Sequence, residues 1–491
     1  MNRVFILMVS TFLFLSASSQ NLKPPGMLKT SPNGHYLTYH DGSPFFWLGD
    51  TGWEMLHRLN REEINLYLDD RKDKGFNVIQ TVLISEFLHI DKATNYYGDS
   101  VFQNGNPLKP AIEPGNDPLN PGQYDYWDHV DYAVHLADQK DLFLALLPTW
   151  GEWVTPRTDK AIFNTNEQAY SYGNFLGARY RRNENIVWIL GGDRHPDERT
   201  NGFELWRAMA EGIADGTNGI NEFNSKADYT TTLMSFHSFQ TSAKYFPNDA
   251  WIDFHMWGSY HGEVNNTKAY EAAIADWNLP NPKPTLNSEP CYEGHGINYA
   301  IEDNGVFTST DVRMAAYWGL FAGSAGFTYG AQPVWQFTDS SRNKLSRMTY
   351  TNWQNGLDLP GAFQMVFAKK LMESHPMLEM VQDQSLIVKG QGNCGAYSVA
   401  TRGKSFAYIY IPTGSTLTVK LGAITGKKLK ASWFDPRNGI MTLIGEFDNK
   451  GERSFSVPGM SKELSWLKSG RGCDWVLIME DASIVFPQSV N

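Results

Sequence analysis

From Ser31 onward the chain alternates between short, almost wholly apolar runs and longer stretches in which apolar residues recur every three or four positions. The first pattern reads as strands buried on both faces, the second as helices that cover them. The apolar runs fall at 44–48, 78–84, 142–147, 186–190, 230–234, 251–256, 284–288 and 327–329, after hairpin-like turns at Asn33-Gly34 and Asp41-Gly42. Between them, Asn60 and Glu63 form a capping box for a helix with Ile64, Tyr67 and Leu68 on one face, stopped at Gly75. Tyr126, Val130, Ala133, Val134 and Ala137 mark the next helix, and Thr165 with Gln168 caps a third that carries Ala169, Tyr172 and Leu176. Trp206, Met209 and Ile213 mark a fourth, followed by helices over 268–277, 312–321 and 363–372. Strands regularly separated by amphipathic helices predict a parallel sheet closed into a (β/α)8 TIM barrel with inserted loops.

Beyond Pro376 the texture changes. Runs at 396–400, 406–411, 417–421, 429–434, 441–444 and 475–479 are separated by Gly, Asn, Asp and Pro, with Asn438-Gly439 a strong hairpin signal. This predicts a small all-β sandwich over 386–491 behind a barrel over 20–385. At the other end, Arg3, the apolar run 4–15 and the small residues Ala17-Ser18-Ser19 read as an export signal over 1–19. The run is shorter than the roughly 18 to 20 residues of a spanning helix. No Cys follows it, and no later segment is long and apolar enough to span. The expected product is soluble in the periplasm or outside the cell.

Composition narrows the partners. With 42% apolar and 19% charged residues the chain has ordinary globular usage, and a formal net charge of −11 argues against nucleic acid or anionic membrane. Three Cys cannot build a disulfide framework or a four-Cys zinc site. Cys394 and Cys473 both fall in the sandwich, where export permits a disulfide between them.

In such barrels the reacting groups stand where strands end and loops begin. Asp193 follows the fourth run as Leu190-Gly191-Gly192-Asp193, and Glu289 closes the seventh as Leu286-Asn287-Ser288-Glu289. Three strand–helix units apart, the two acids are expected to face each other across the mouth. Paired carboxylates are what glycosidic hydrolysis needs: one protonates the leaving oxygen while the other attacks the anomeric carbon or activates water. Carboxyl groups about 5 to 5.5 Å apart retain configuration, and a gap of about 6.5 to 9.5 Å inverts it.

Aromatic and polar residues crowd the same level: Asp50 and Trp53, Trp150 and Glu152, His195, then His255, Trp257, Tyr260 and His261, then Tyr292, Glu293 and His295, and finally Trp335. Sugar rings offer C–H faces to aromatics and hydroxyls to polar groups. The substrate-binding candidates are therefore Asp50, Trp53, Trp150, Glu152, His195, His255, Trp257, Tyr260, Tyr292 and Trp335. The plainer alternatives are that Asp193 caps its loop or pairs with Arg194, that Glu289 pairs with a Lys or Arg, that Asp50 caps the turn toward Trp53, that each Trp packs the rim and that each His caps a loop. No metal or cofactor is expected, because His-Glu-x-x-His and phosphate-loop spacings are both missing. Ala322-Gly323-Ser324-Ala325-Gly326 lacks the first Gly of a serine elbow and precedes a strand rather than following one. Cys291, two residues past Glu289, reads as a small apolar filler.

Taken together, Phe46-Trp47-Leu48-Gly49-Asp50-Thr51-Gly52-Trp53, Gly191-Gly192-Asp193, Asn287-Ser288-Glu289-Pro290, Trp433-Phe434-Asp435-Pro436-Arg437 and Asp474-Trp475-Val476-Leu477 resemble glycoside hydrolase family 140, the apiosidase-like proteins. The likeness runs over nearly the whole chain after the leader. It implies a (β/α)8 catalytic domain, a sandwich of the type labelled collagen-binding, and cleavage of a bond to apiose, a branched pentofuranose, in pectic side chains of the rhamnogalacturonan type. It further implies a retaining mechanism with Asp193 as acid/base and Glu289 as nucleophile. One position departs from related barrels: Gly192 precedes an Asp where Asn before Glu is usual, and the shorter acid alters the reach. The expected partner is an oligo- or polysaccharide. An arabinofuranosidase, a glucanase and a non-catalytic glycan or matrix binder are the competing readings.

Overall fold

Local sequence sets where the helices begin. Asn60 Oδ1 accepts the Glu63 N–H at 2.8 Å and Glu63 Oε2 accepts the Asn60 N–H at 3.1 Å, so the predicted capping box opens helix α1, Arg61–Asp73. Reciprocal caps of the same kind open α2, Tyr126–Gln139, from Asp125 and Asp128, and α3, Asn166–Tyr180, from Thr165 and Gln168. The computed structural model describes residues 27–87, 94–120, 122–156, 160–342, 351–459 and 472–487. The export signal read at 1–19 lies outside the described residues.

Among the described residues eight parallel strands form one sheet: β1 (Trp47–Thr51), β2 (Val78–Val82), β3 (Phe143–Leu147), β4 (Ile186–Gly191), β5 (Met234–His237), β6 (His255–Gly258), β7 (Thr285–Glu289) and β8 (Gly326–Tyr329). They pair in the order β5-β4-β3-β2-β1-β8-β7-β6. At the remaining seam the Asp253 N–H donates to the Met234 carbonyl at 2.9 Å and Ser235 Oγ donates to the Phe254 carbonyl at 2.6 Å. Helices α4 (Gly202–Asn218), α5 (Lys268–Trp277), α6 (Ser309–Phe321) and α7 (Pro360–Glu373) continue the alternation, with only the single turn Ser242–Tyr245 between β5 and β6. This is a TIM barrel, as the alternation predicted. No helix among the described residues is long and apolar enough to cross a membrane.

Three strands start later than their apolar runs suggested. Pro44–Phe45 pairs with Leu37–Thr38 in a small antiparallel sheet, leaving β1 to begin at Trp47. The run at 251–256 is apolar because Trp251 and Ile252 are buried ahead of the sheet, and β6 begins at His255. Likewise β5 begins at Met234, where the 230–234 run ends.

The C-terminal strands are β9 (Val381–Gln382), β10 (Ile387–Lys389), β11 (Val399–Arg402), β12 (Phe406–Ile411), β13 (Leu417–Lys420), β14 (Lys428–Phe434), β15 (Met441–Asp448), β16 (Glu452–Phe455) and β17 (Trp475–Asp481). They form a six-stranded sheet, β9-β11-β12-β17-β14-β15, facing a three-stranded one, β10-β13-β16. Alternation along β12 divides its apolar run: Ala407, Ile409 and Ile411 enter the sandwich core, while Phe406, Tyr408 and Tyr410 join the barrel core. Tyr410 stacks on Tyr317 of α6 at 5.2 Å, and Tyr408 on Phe321 at 5.6 Å. Arg313 of α6 forks onto Asp474, with Nε to Oδ2 at 3.0 Å and Nη2 to Oδ1 at 2.9 Å, both side chains buried. No disulfide joins Cys394 to Cys473: the former is exposed and the latter buried against Gly414.

Candidate active site

At the end of β4, Gly191 and Gly192 take positive φ of 97° and 142° and turn the chain inward before Asp193. A Cβ on Gly192 would stand 2.6 Å from the Gly151 nitrogen and 3.0 Å from the Trp150 ring. Only glycine lets the backbone ride this close to Gly151 and Trp150. Glu289 is the last residue of β7 and is buried. One carboxylate oxygen from Asp193, one from Glu289 and a ring nitrogen of His237, the last residue of β5, all lie within 4.8 Å of one another.

The two oxygens of Glu289 meet different imidazoles. His261 Nδ1 accepts the Tyr292 N–H at 3.3 Å, which assigns the ring proton to Nε2, and Nε2 donates to Glu289 Oε1 at 3.3 Å. Glu289 Oε2 stands 3.2 Å from His237 Nε2, within ion-pair distance but off the line of a hydrogen bond. Burial pushes the Glu289 carboxyl up, yet the two imidazoles more than offset it and hold the group below the ordinary carboxylate range. Glu289 is therefore ionised at neutral pH.

Aromatic side chains wall this pair. Trp53 meets Trp150 edge-on at 5.3 Å and His237 at 5.5 Å, and its Nε1 donates to the Tyr292 hydroxyl at 3.0 Å. Burial, and then the charges of Asp193 and Glu289, push the Tyr260 and Tyr292 phenols well above their usual range, so both keep their protons. Tyr260 Oη and Trp150 Nε1 are buried with no hydrogen-bond partner among the described residues. The result is one ionised carboxylate and one half-buried acid across a short gap, with two unused donors beside them.

Residues 31–379 match the family model described as "Apiosidase-like, catalytic domain". The chain belongs to the apiosidase-like family. Residues 381–480 match the model described as "Putative collagen-binding domain of a collagenase". A solved structure described as "Glycoside hydrolase" is 32% identical with a TM-score of 0.80, covering 94% of this chain and 98% of its own. A glycoside hydrolase family 5 structure from Bacteroides vulgatus is also 32% identical with a TM-score of 0.80, covering 95% of each chain. No protein of curated function matches the chain. An apiosidase-like barrel with such relatives is a glycoside hydrolase, and its substrate is a glycan.

Within the apiosidase-like barrel, the mouth gathers Trp53, Trp150, Tyr260 and Tyr292 around Asp193 and Glu289. Glu152 is near them but ion-paired, with Arg194 Nε on its Oε2 at 2.6 Å. His195 stacks on Tyr245 at 5.3 Å, and half-buried Trp335 sits at the rim, 6.1 Å from Phe87 and 6.5 Å from Tyr292.

Three expected binding residues are placed elsewhere. Asp50 is fully buried, held by Arg71 Nε at 2.8 Å and the Tyr67 hydroxyl at 2.5 Å, and it ties β1 to α1 rather than facing the mouth. His255 opens β6 instead of following it, and its Nδ1 lies 2.9 Å from Ser242 Oγ. Trp257 is buried inside β6 and donates from Nε1 to Thr285 Oγ1 at 2.9 Å, at the start of β7. The late start of β6 moves both His255 and Trp257 below the mouth.

The same slip in β5 hid His237, which closes the strand directly. His261 was visible near the mouth but carried no assigned role, because its grip on Glu289 depends on the Tyr292 amide. Glu86, just past β2, was missed although it follows a strand as Asp193 does. Burial, opposed by Arg194 and reinforced by Glu54, Glu152 and Glu289, pushes its carboxyl up to about 7.

Proposed function

We propose that the protein is a retaining glycosidase that releases apiose from pectic side chains of the rhamnogalacturonan type, outside the cytoplasm once the leader read at 1–19 is removed. The observation that carries the chemistry is the gap of at most 4.8 Å between oxygens of Asp193 and Glu289, which suits double displacement and leaves little room for the water an inverting enzyme places between its acids. Glu289, ionised and oriented by His261, attacks the anomeric carbon. Asp193 gives its proton to the departing oxygen and afterwards takes one from the water that releases the sugar. The apiose specificity is supported by the family match over the barrel.

Digestion of purified pectic side-chain oligosaccharides tests this reading. Apiose is the expected sugar released, and Asp193→Asn and Glu289→Gln are each expected to lower the rate by about three orders of magnitude or more with folding intact. Release of arabinose or glucose instead points to the arabinofuranosidase or glucanase reading. Near-normal rates in either variant remove the residue assignment.

A further inference from the structure

We propose that Asp193, His237 and Glu289 form a site for a zinc-type divalent cation, and that such a cation shuts the enzyme off. The three side chains offer one nitrogen and two oxygens within 4.8 Å of one another. This mixed donor set suits a borderline cation rather than calcium or magnesium, which favour all-oxygen shells. A tetrahedral ion with bonds of about 2.0 to 2.1 Å needs donor atoms about 3.3 Å apart. His237 Nε2 and Glu289 Oε2 already stand 3.2 Å apart. Asp193, half-buried, offers the third donor, an oxygen within 4.8 Å of a donor atom of each.

Two further observations separate this site from an ordinary acidic cluster. His237 is fully buried, aimed at the carboxylates, and neither ring nitrogen has a hydrogen-bond partner among the described residues. Glu289 divides its oxygens: Oε1 is held by His261 and Oε2 is turned toward His237 without a hydrogen bond. A ligating carboxylate fixed by an outer hydrogen bond is the usual arrangement around a bound metal.

The same carboxyl groups serve both purposes. A cation on Glu289 Oε2 and Asp193 blocks the attacking carboxylate and the acid together, so metal and sugar exclude one another. The inhibition, though not the binding, rests on the hydrolytic reading above.

The test uses the full chain stripped with EDTA, and Zn2+ alone as the probe. Equilibrium dialysis is expected to give one Zn2+ per chain, with affinity lowered about tenfold or more in His237→Gln and in Glu289→Gln. Asp193→Asn, at a less buried position, gives a third variant should either of the others fail to fold. In hydrolysis assays Zn2+ is expected to raise KM without changing kcat, and excess chelator to restore the rate, while Mg2+ and Ca2+ at the same concentration do nothing. Zn2+ binding that survives in every folded variant, or no binding at all, overturns the site. Loss of activity on stripping with EDTA overturns the inhibitory role. Stripped protein that hydrolyses no glycan counts against the hydrolytic reading alone, since dialysis still decides the site.

Discussion

The Tyr260 ring folds back over Gly258 so closely that a Cβ on Gly258 would lie 2.0 Å from Tyr260 Cε2. Tyr260 itself holds a positive φ of 53°, a conformation that costs a non-glycine residue about 1 to 3 kcal/mol. The buried phenol has an unused hydroxyl, whose pKa is raised by burial and then by the charges of Asp193 and Glu289. Tyr260→Phe keeps the ring and removes only that hydroxyl. Turnover is expected to fall about 10²-fold or more while Tm stays level or rises, because a buried unsatisfied group is lost. Unchanged turnover with a lowered Tm would assign the hydroxyl to structure instead. Gly258→Ala is expected to lower both activity and Tm.

His261 holds Glu289 Oε1 while its own Nδ1 is held by the Tyr292 amide. His261→Ala removes the donor and leaves that amide unsatisfied. A fall in kcat of about 10- to 100-fold is expected, with His261→Gln recovering part of it by keeping a donor. Steady-state kinetics on the three proteins checks this. Equal kcat in His261→Ala and the parent chain would mean that Glu289 needs no such support.

The buried fork between Arg313 and Asp474 fastens the sandwich to the barrel. Burial opposes the Asp474 charge, but Arg313 keeps the carboxyl below its ordinary range. Asp474→Asn leaves the guanidinium without its counter-charge and is expected to cost about 3 to 5 kcal/mol. Replacing both partners with apolar residues is expected to recover most of that loss. Denaturant melts of the single and double variants measure both effects; a single variant as stable as the parent chain would show that the fork contributes nothing.

Much of this architecture was legible in the sequence because strands of a closed parallel sheet are buried on both faces and read as unbroken apolar runs. Asp193 and Glu289 stood out for the complementary reason, as polar residues ending such runs. The failures share a physical cause. Trp251 and Ile252 are apolar because they are buried ahead of the sheet, so continuity of hydrophobicity overstated where β6 began and misplaced His255 and Trp257. Asp50 carries the same local signature as Asp193, and only its distant partners Arg71 and Tyr67 reveal that it braces a helix. His237 and His261 act through neighbours on other strands, which no local pattern encodes.

The seam between β5 and β6 carries a pH dependence. Asp253 Oδ2 accepts the Met234 N–H at 2.7 Å, and burial, opposed by that bond and by Lys283, pushes its carboxyl up to about 7. The folded state thus binds this proton more tightly than the unfolded chain, whose Asp titrates near 3.9. Its contribution to stability is complete below about pH 4 and is lost as pH rises toward 7. The Tm of Asp253→Asn is therefore expected to gain on that of the parent chain between pH 4 and pH 7. A difference that is flat or reversed over that window would contradict the shift.

The most direct test of double displacement is the covalent intermediate itself. Asp193→Ala, given an aryl apioside whose leaving group needs no acid, is expected to load Glu289 faster than water unloads it. After a rapid quench and proteolysis, the peptide carrying Glu289 should gain the mass of one pentosyl group. An adduct on any other residue, or none while the aglycone is still released, would contradict nucleophilic attack by Glu289.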